Sequence, residues 1–342
     1  MRAFITGVSG PALTSEERAF LREAAPWGII LFRRNVESPE ALRKLVDDVR
    51  TTLGRAAPVL VDQEGGRVQR LGPPHWPAYP PGAAYGAIYD RDREAGLAAA
   101  RLGARLIAAD LAALGIDVDC MPIADVPVAG ADPVVGDRAY GNDPAKVAAI
   151  AGAVAVGLAE GGVLPVLKHI PGHGRATADS HQKLPVINAS RAELEATDFA
   201  AFRPLVALPL AMTAHVVFTA IDPVAPATIS ATIVRDVIRD SIGYQGLLMT
   251  DDISMGALSG TVGERARAAI AAGCDVVLHC NGELSEMRAV AAAAPTLVGD
   301  AARRAAAALA MKRSAAPIDI AAGRAEFFNL MRSAWQPAQR SA

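Results

Sequence analysis

Short runs of β-branched and aliphatic residues alternate with longer alanine-rich segments along almost the whole chain. The strand-length runs are Ala3 to Val8, Gly28 to Phe32, Pro58 to Gln63, Ile116 to Met121, Val163 to His169, Leu208 to His215, Gly246 to Asp251 and Asp275 to Cys280. Helical spacing follows over Ser38 to Leu53, Glu94 to Leu114, Pro144 to Glu160, Arg191 to Leu205, Ser230 to Ser241 and Gly263 to Ala272. Ser38-Pro39-Glu40 supplies an N-cap followed by proline at the first helical position. Strand followed by helix, repeated, predicts a parallel sheet built from βα units. About eight strands is the number that closes a TIM barrel. The expected fold is therefore α/β, a single-domain (β/α)8 TIM barrel over residues 1–335 with a polar tail at 336–342. An open dinucleotide-binding sheet is disfavoured, because Gly7-Val8-Ser9-Gly10 lacks the full G-x-G-x-x-G turn and its acidic partner.

Two connections exceed what a barrel needs. Gly65 to about Arg91, after strand 3, is rich in proline, glycine and aromatics; His169 to Ser190, after strand 5, is rich in glycine and histidine. Loops of that length in a compact domain usually carry function. After Cys280 only alanine-rich helices precede the tail, so the barrel is expected to supply its own active site.

Composition narrows the partners. Hydrophobic residues at 51% against 20% charged are globular proportions over 342 residues. A net charge of -2 offers no footprint for a polyanion, so no nucleic-acid partner is expected. Cys120, Cys274 and Cys280 form neither a disulfide framework nor a zinc motif, and a reducing cytoplasm suits them best. Gly7, Ser9, Gly10 and Pro11 interrupt the apolar start before a signal-peptide core forms, and the longest apolar stretch, near Val147 to Ala159, is well short of the ~20 residues that span a bilayer. No membrane partner is expected.

In a TIM barrel the chemistry sits at the carboxyl ends of the strands. Strand three ends in Asp62-Gln63-Glu64-Gly65-Gly66-Arg67, with Arg70 beyond; strand four leads to Asp125, Asp132 and Arg138. Strand five ends in Lys168-His169, strand six in Thr213-Ala214-His215 and strand seven in Thr250-Asp251-Asp252. Any one of these is as readily a loop-tying ion pair. So many together imply a polar ligand, since converging charges are costly to desolvate without one or without mutual pairing. Period-two alternation lets only one of Asp251 and Asp252 face the site, and spacing alone leaves both open.

His169, His173 and His181 share one loop. Pro171 and Gly172 exclude a helical His pair, but a metal site of His169, His173, His181 and His215 remains an alternative, which would make a metal-dependent hydrolase of amide or ester bonds. Asp179, two residues before His181, could fix its tautomer and make a proton-transferring dyad; a lone Asp-x-His is more often a solvated loop. Trp27, Trp76 and Tyr79 could stack on a sugar, although single aromatics are more often core.

These segments resemble one family: Asp62-Gln63-Glu64-Gly65-Gly66-Arg67, Lys168-His169-Ile170-Pro171-Gly172-His173-Gly174 with Asp179-Ser180-His181, and Thr250-Asp251-Asp252-Ile253-Ser254-Met255 are similar to those of the bacterial β-N-acetylglucosaminidases of glycoside hydrolase family 3. The likeness runs from Gly28 through Leu258. It implies Asp251 as nucleophile, His181 as general acid/base, Asp179 as its partner, and Asp62, Arg70, Arg138, Lys168 and His169 as holders of the sugar; the length of the His181 loop and its Gly172 and Gly174 lead to the expectation that it closes over substrate. It further implies no metal or cofactor and a monomer that removes GlcNAc from small muropeptides. The chain departs from the family at Ile170, where phenylalanine is usual, and around Arg138 in Asp137-Arg138-Ala139-Tyr140, differences that bear on loop packing and substrate fit. A catalytically inert sugar-binding barrel is the remaining reading, and intact Asp251, Asp179 and His181 oppose it.

Overall fold

The computed structural model describes residues 1–335; the polar tail expected at 336–342 lies outside the described residues. Eight parallel strands close on themselves: β1 (Arg2–Thr6), β2 (Pro26–Leu31), β3 (Val59–Val61), β4 (Val118–Asp119), β5 (Leu164–Ile170), β6 (Leu210–Thr213), β7 (Leu247–Asp252) and β8 (Val276–His279). Each pairs with its sequence neighbours, and β8 closes against β1 through Phe4↔Val277 and Thr6↔His279. The expected (β/α)8 barrel is what forms.

Alternation along the strands divides the core in two. Ile5, Ile30, Leu60, Val166, Met212, Met249 and Leu278 fill the barrel lumen. Their neighbours Phe4, Ile29, Val61, Leu167, Ala211, Leu248 and Val277 face the surrounding helices. Both faces of each strand are thus buried, which is why the strands read as continuous apolar runs rather than alternating ones. The helices are capped as their sequences suggest: Ser38 accepts from the Ala41 amide ahead of Pro39–Leu53, and Asp143 accepts from the Lys146 amide ahead of Pro144–Glu160. Among the described residues no helix is long and apolar enough to cross a membrane.

Several elements differ from the sequence reading. The expected helix Arg191 to Leu205 is broken into Arg191–Ala196, Asp198–Phe202 and a 3-10 turn at Arg203–Leu205. Thr197 leaves helical geometry at φ -122, ψ -78, and Pro204 can neither donate an amide nor accommodate the carbonyl four residues earlier. Ser230 to Ser241 holds a π-helical stretch, Ile233–Ser241. Strand β4 is shorter at both ends than Ile116 to Met121; at its carboxyl end Pro122 has no amide to continue the ladder, although the Met121 and Pro122 carbonyls still accept from Val166 and Lys168. The connection after strand 3 is partly ordered, with a small hairpin, Gln63–Gly65 against Val68–Gln69, and a helix at Gly82–Tyr89. A third long connection, after β4, runs to Asp143 with only a 3-10 turn at Gly136–Arg138, and the sequence reading did not single it out.

Candidate active site

The lumen pattern carries straight into the site. Leu60 points inward, and so does Asp62 two residues on; Val166 leads likewise to Lys168, and Leu247 and Met249 to Asp251. Side chains from alternate strands stack in layers inside a TIM barrel. Here the uppermost layer is polar, and it floors a cleft of about 640 Å³ at the carboxyl ends of the strands. The cleft walls come from the connections after β3, β4 and β5: Arg67 to Arg70, Asp132 to Arg138 and Asp179 to His181.

On one side of the floor four charges interlock with a fifth. Asp62 receives Arg70 at 2.9 Å and Lys168 at 3.1 Å, while Glu64 receives Lys168 at 2.6 Å and Arg138 through a two-pronged contact at 2.8 Å each. Burial alone would raise the carboxyl pKa values, yet Lys168 with Arg70 holds Asp62, and Arg138 with Lys168 holds Glu64, below the usual range. Burial likewise opposes the charge on Lys168, and Glu64 and Asp62 more than offset it, so the ammonium is held above its ordinary value. Donors fixed by such pairing lose little freedom when a hydroxylated ligand arrives.

Asp251 stands apart from this network. Its side chain is 18% exposed to the cleft, its Oδ1 accepts the Asp252 amide at 2.8 Å, and its Oδ2 lies 4.0 Å from Nε2 of His169. Burial pushes its pKa upward, but the neighbouring His169 and His215 rings, the Asp252 amide and Lys168 together keep it below the ordinary carboxyl value. Asp252 turns away: it accepts from Ser254 Oγ at 2.6 Å and from the Cys280 amide at 3.1 Å, tying the connection after β7 to β8. The ambiguity between the two aspartates is thereby settled in favour of Asp251 as the residue facing the cleft. A shift in strand register between Lys168 and Ile170 brings His169 to the cleft as well. Asp125, wholly buried, holds Nδ1 of His169 at 2.7 Å and accepts the His173 amide at 2.6 Å.

His181 lies at the mouth, 64% exposed, with Nδ1 2.7 Å from Asp179 Oδ1. Burial would raise the Asp179 carboxyl, but the His181 amide and ring hold it down. As an anion it can only accept, so Nδ1 carries the proton and Nε2 is left for exchange with the cleft. The four histidines do not gather as ligands. His215 is buried between Thr228 Oγ1 and the Asp252 carbonyl, at 2.7 and 3.0 Å, and His173 pairs with Ser180 Oγ at 3.0 Å. Among the described residues no three His, Cys, Asp or Glu side chains converge as a metal site would require.

The residues the resemblance assigns to catalysis and sugar binding, Asp251, His181, Asp179, Asp62, Arg70, Arg138, Lys168 and His169, all line this one cleft, whereas His215 does not. Trp27, Trp76 and Tyr79 do not; all three are packed in the core. Glu64, Asp125 and Ser180 were quoted in the motifs but given no role. Glu64 meets Arg138 across 74 residues and Asp125 meets His169 across 44, so spacing could not reveal their roles; Ser180 meets His173 from within the same loop, seven residues away.

Residues 5–308 match the model of the glycosyl hydrolase family 3 N terminal domain. A beta-hexosaminidase of Alkalilimnicola ehrlichii is 42% identical over 281 residues, covering 80% of this chain and 79% of that protein. One from Aromatoleum aromaticum is 40% identical over 278 residues, covering 80% and 78%. The crystal structure of NagZ from Neisseria gonorrhoeae in complex with N-trifluoroacetyl-D-glucosamine superposes with a TM-score of 0.85 at 33% identity, covering 96% of this chain and 98% of that one.

Proposed function

The chain belongs to glycosyl hydrolase family 3, among its β-hexosaminidases, and on that premise we propose that it releases terminal non-reducing N-acetylglucosamine with retention of configuration. Asp251 attacks the anomeric carbon while His181, protonated on Nε2, gives its proton to the departing glycosidic oxygen; a glycosyl-aspartate results. Neutral His181 then takes a proton from water, whose oxygen displaces Asp251 and restores the original configuration. The observation that carries this reading is the state of the floor carboxylates. Asp62 and Glu64 are committed to lysine and arginine, whereas Asp251 has no lysine or arginine partner among the described residues: one oxygen takes the Asp252 amide and the other lies 4.0 Å from His169 at the cleft.

Asp62, Arg70, Arg138, Lys168 and His169 hold the sugar: the carboxylate accepts from ring hydroxyls and the cations donate to them. The N-acylated glucosamine bound by the gonococcal NagZ supports an acetamido sugar as the substrate. The family likeness and a cleft with room for a small ligand support GlcNAc-anhydromuramic acid and its peptides, met in the cytoplasm during cell-wall recycling. All these residues come from one chain, which suits a monomer. A metal-dependent hydrolysis is less well supported, since the histidines take separate partners.

The test is hydrolysis of a chromogenic N-acetyl-β-glucosaminide beside its plain β-glucoside, with and without chelator, by the wild type, Asp251→Ala and His181→Ala. Chelator-insensitive activity confined to the N-acetyl substrate, abolished by Asp251→Ala and strongly reduced by His181→Ala, is expected. Activity surviving Asp251→Ala, or vanishing with chelator, overturns the reading.

A further inference from the structure

We propose that His173 and Ser180 form a latch that holds the acid/base loop in its working position, making both of them positioning residues for His181. The proposal rests on reading His181 as the acid/base. Ser180 is adjacent to His181 in the chain yet is only 3% exposed, against 64% for the His181 side chain. Its hydroxyl is tied to the cleft side of the loop, Ser180 Oγ to His173 Nε2 at 3.0 Å. His173 is itself fixed from below: its amide donates to Asp125 Oδ1 at 2.6 Å, and Asp125 also holds His169 beside the nucleophile. One buried carboxylate therefore references both halves of the machinery, the nucleophile side through His169 and the acid/base side through His173 and Ser180.

The direction of the latch bond follows from its surroundings. Nδ1 of His173 is buried with no partner among the described residues. A buried N–H without an acceptor is costly, so the ring proton belongs on Nε2, where it donates to Ser180 Oγ. Other ties along the loop are of two kinds. The Gly256 and Ala257 amides donate to the His181 and Ser180 carbonyls, both at 3.1 Å, and Arg175 pairs with Asp198 at 2.6 Å, farther back along the loop. Among the described residues the Ser180 hydroxyl has no other hydrogen-bond partner, so a change there removes one contact.

The test measures kcat/KM for two aryl N-acetyl-β-glucosaminides, one with a dinitrophenolate leaving group that departs without protonation and one with phenolate, which needs the acid. Ser180→Ala is expected to lower the phenyl value about tenfold, as a displaced acid should, and to change the dinitrophenyl value less than about twofold. Adding Ser180→Ala to His181→Ala should then change neither value, because a latch has nothing left to position. His173→Gln, whose amide N–H occupies the position of Nε2, should keep most of the phenyl activity, and His173→Ala should lose it with the same leaving-group dependence. Equal losses on both substrates, a further loss in the His181→Ala background, or no loss from Ser180→Ala each overturns the latch. If His181→Ala itself shows no leaving-group dependence, the acid/base reading fails and the latch falls with it; if His181→Ala shows it and Ser180→Ala does not, only the latch fails.

Discussion

His169 faces Asp251 with its Nε2 4.0 Å from the carboxylate Oδ2. The orientation is imposed from behind, where buried Asp125 holds the opposite ring nitrogen at 2.7 Å. Burial raises the Asp251 carboxyl, and this imidazole is the first of several neighbours, with His215, the Asp252 amide and Lys168, that together hold it below its ordinary value. Asp125→Ala frees the ring and also leaves the His173 amide unpaired. A fall in kcat of about a hundredfold is expected from misplacement on the scale of an ångström, with KM changed far less. Steady-state kinetics decide it; a defect confined to KM contradicts the assigned role.

Glu64 is the hinge of the charge network, meeting both Arg138 and Lys168 with 7% of its side chain exposed. Removing one partner of a buried ion pair leaves the other uncompensated, at a cost of about 3–5 kcal/mol. Glu64→Ala should therefore lower the midpoint of denaturant unfolding sharply and weaken binding of an N-acetylglucosamine inhibitor, because Arg138 and Lys168 lose their anchor. An unchanged midpoint would remove Glu64 from the structural core of the site.

Acid sensitivity follows with a definite sign. Asp62 and Glu64 are both held below their unfolded values, so they stabilise the fold above the ordinary carboxyl range, near pH 4, and that contribution is lost as pH falls through their folded values. His173, pushed down to about 4 by burial, works in a higher window. Its unfolded value is near 6.5, so the unfolded chain binds the extra proton first and stability declines as pH falls from about 6.5 to 4. His215 is lowered by burial in the same direction. Urea unfolding between pH 7.5 and 4 should show this decline, and His173→Gln should flatten it; an unaltered slope in the variant contradicts the assignment.

Much of this was legible in the sequence because the barrel's lumen repeats every two residues. Leu60 to Asp62, Val166 to Lys168 and Leu247 through Met249 to Asp251 each continue an inward-facing pattern from an apolar layer into a polar one, so the strand ends are legible, whereas the choice of Asp251 over Asp252 rests on the family resemblance. Helix breaks were harder. Arg191 to Leu205 has helical spacing throughout, and only the conformation at Thr197 and the proline at 204 divide it. Roles that depend on a partner from another loop were not legible at all. Glu64 sits 74 residues from Arg138, and Asp125 44 residues from His169, so nothing local distinguishes them from solvated acids.

Gly256 offers a probe of the acid/base loop from its outer side. Its amide donates to the His181 carbonyl at 3.1 Å, and a Cβ placed there would come within 2.9 Å of that oxygen and 3.0 Å of the Gln182 carbonyl. Both atoms are backbone, so neither can swing aside as a flexible side chain would, and the loop itself must shift. Gly256→Ala is therefore expected to lower kcat/KM about tenfold on a phenyl N-acetyl-β-glucosaminide, while the unfolding midpoint moves little because the loop is at the surface. Gly10→Ala, where no atom lies within 4 Å of the added carbon, provides the control and should leave activity unchanged. If Gly256→Ala retains full activity, the loop tolerates displacement at its outer tie, and the placement of His181 must then be set from the inner side, at Ser180.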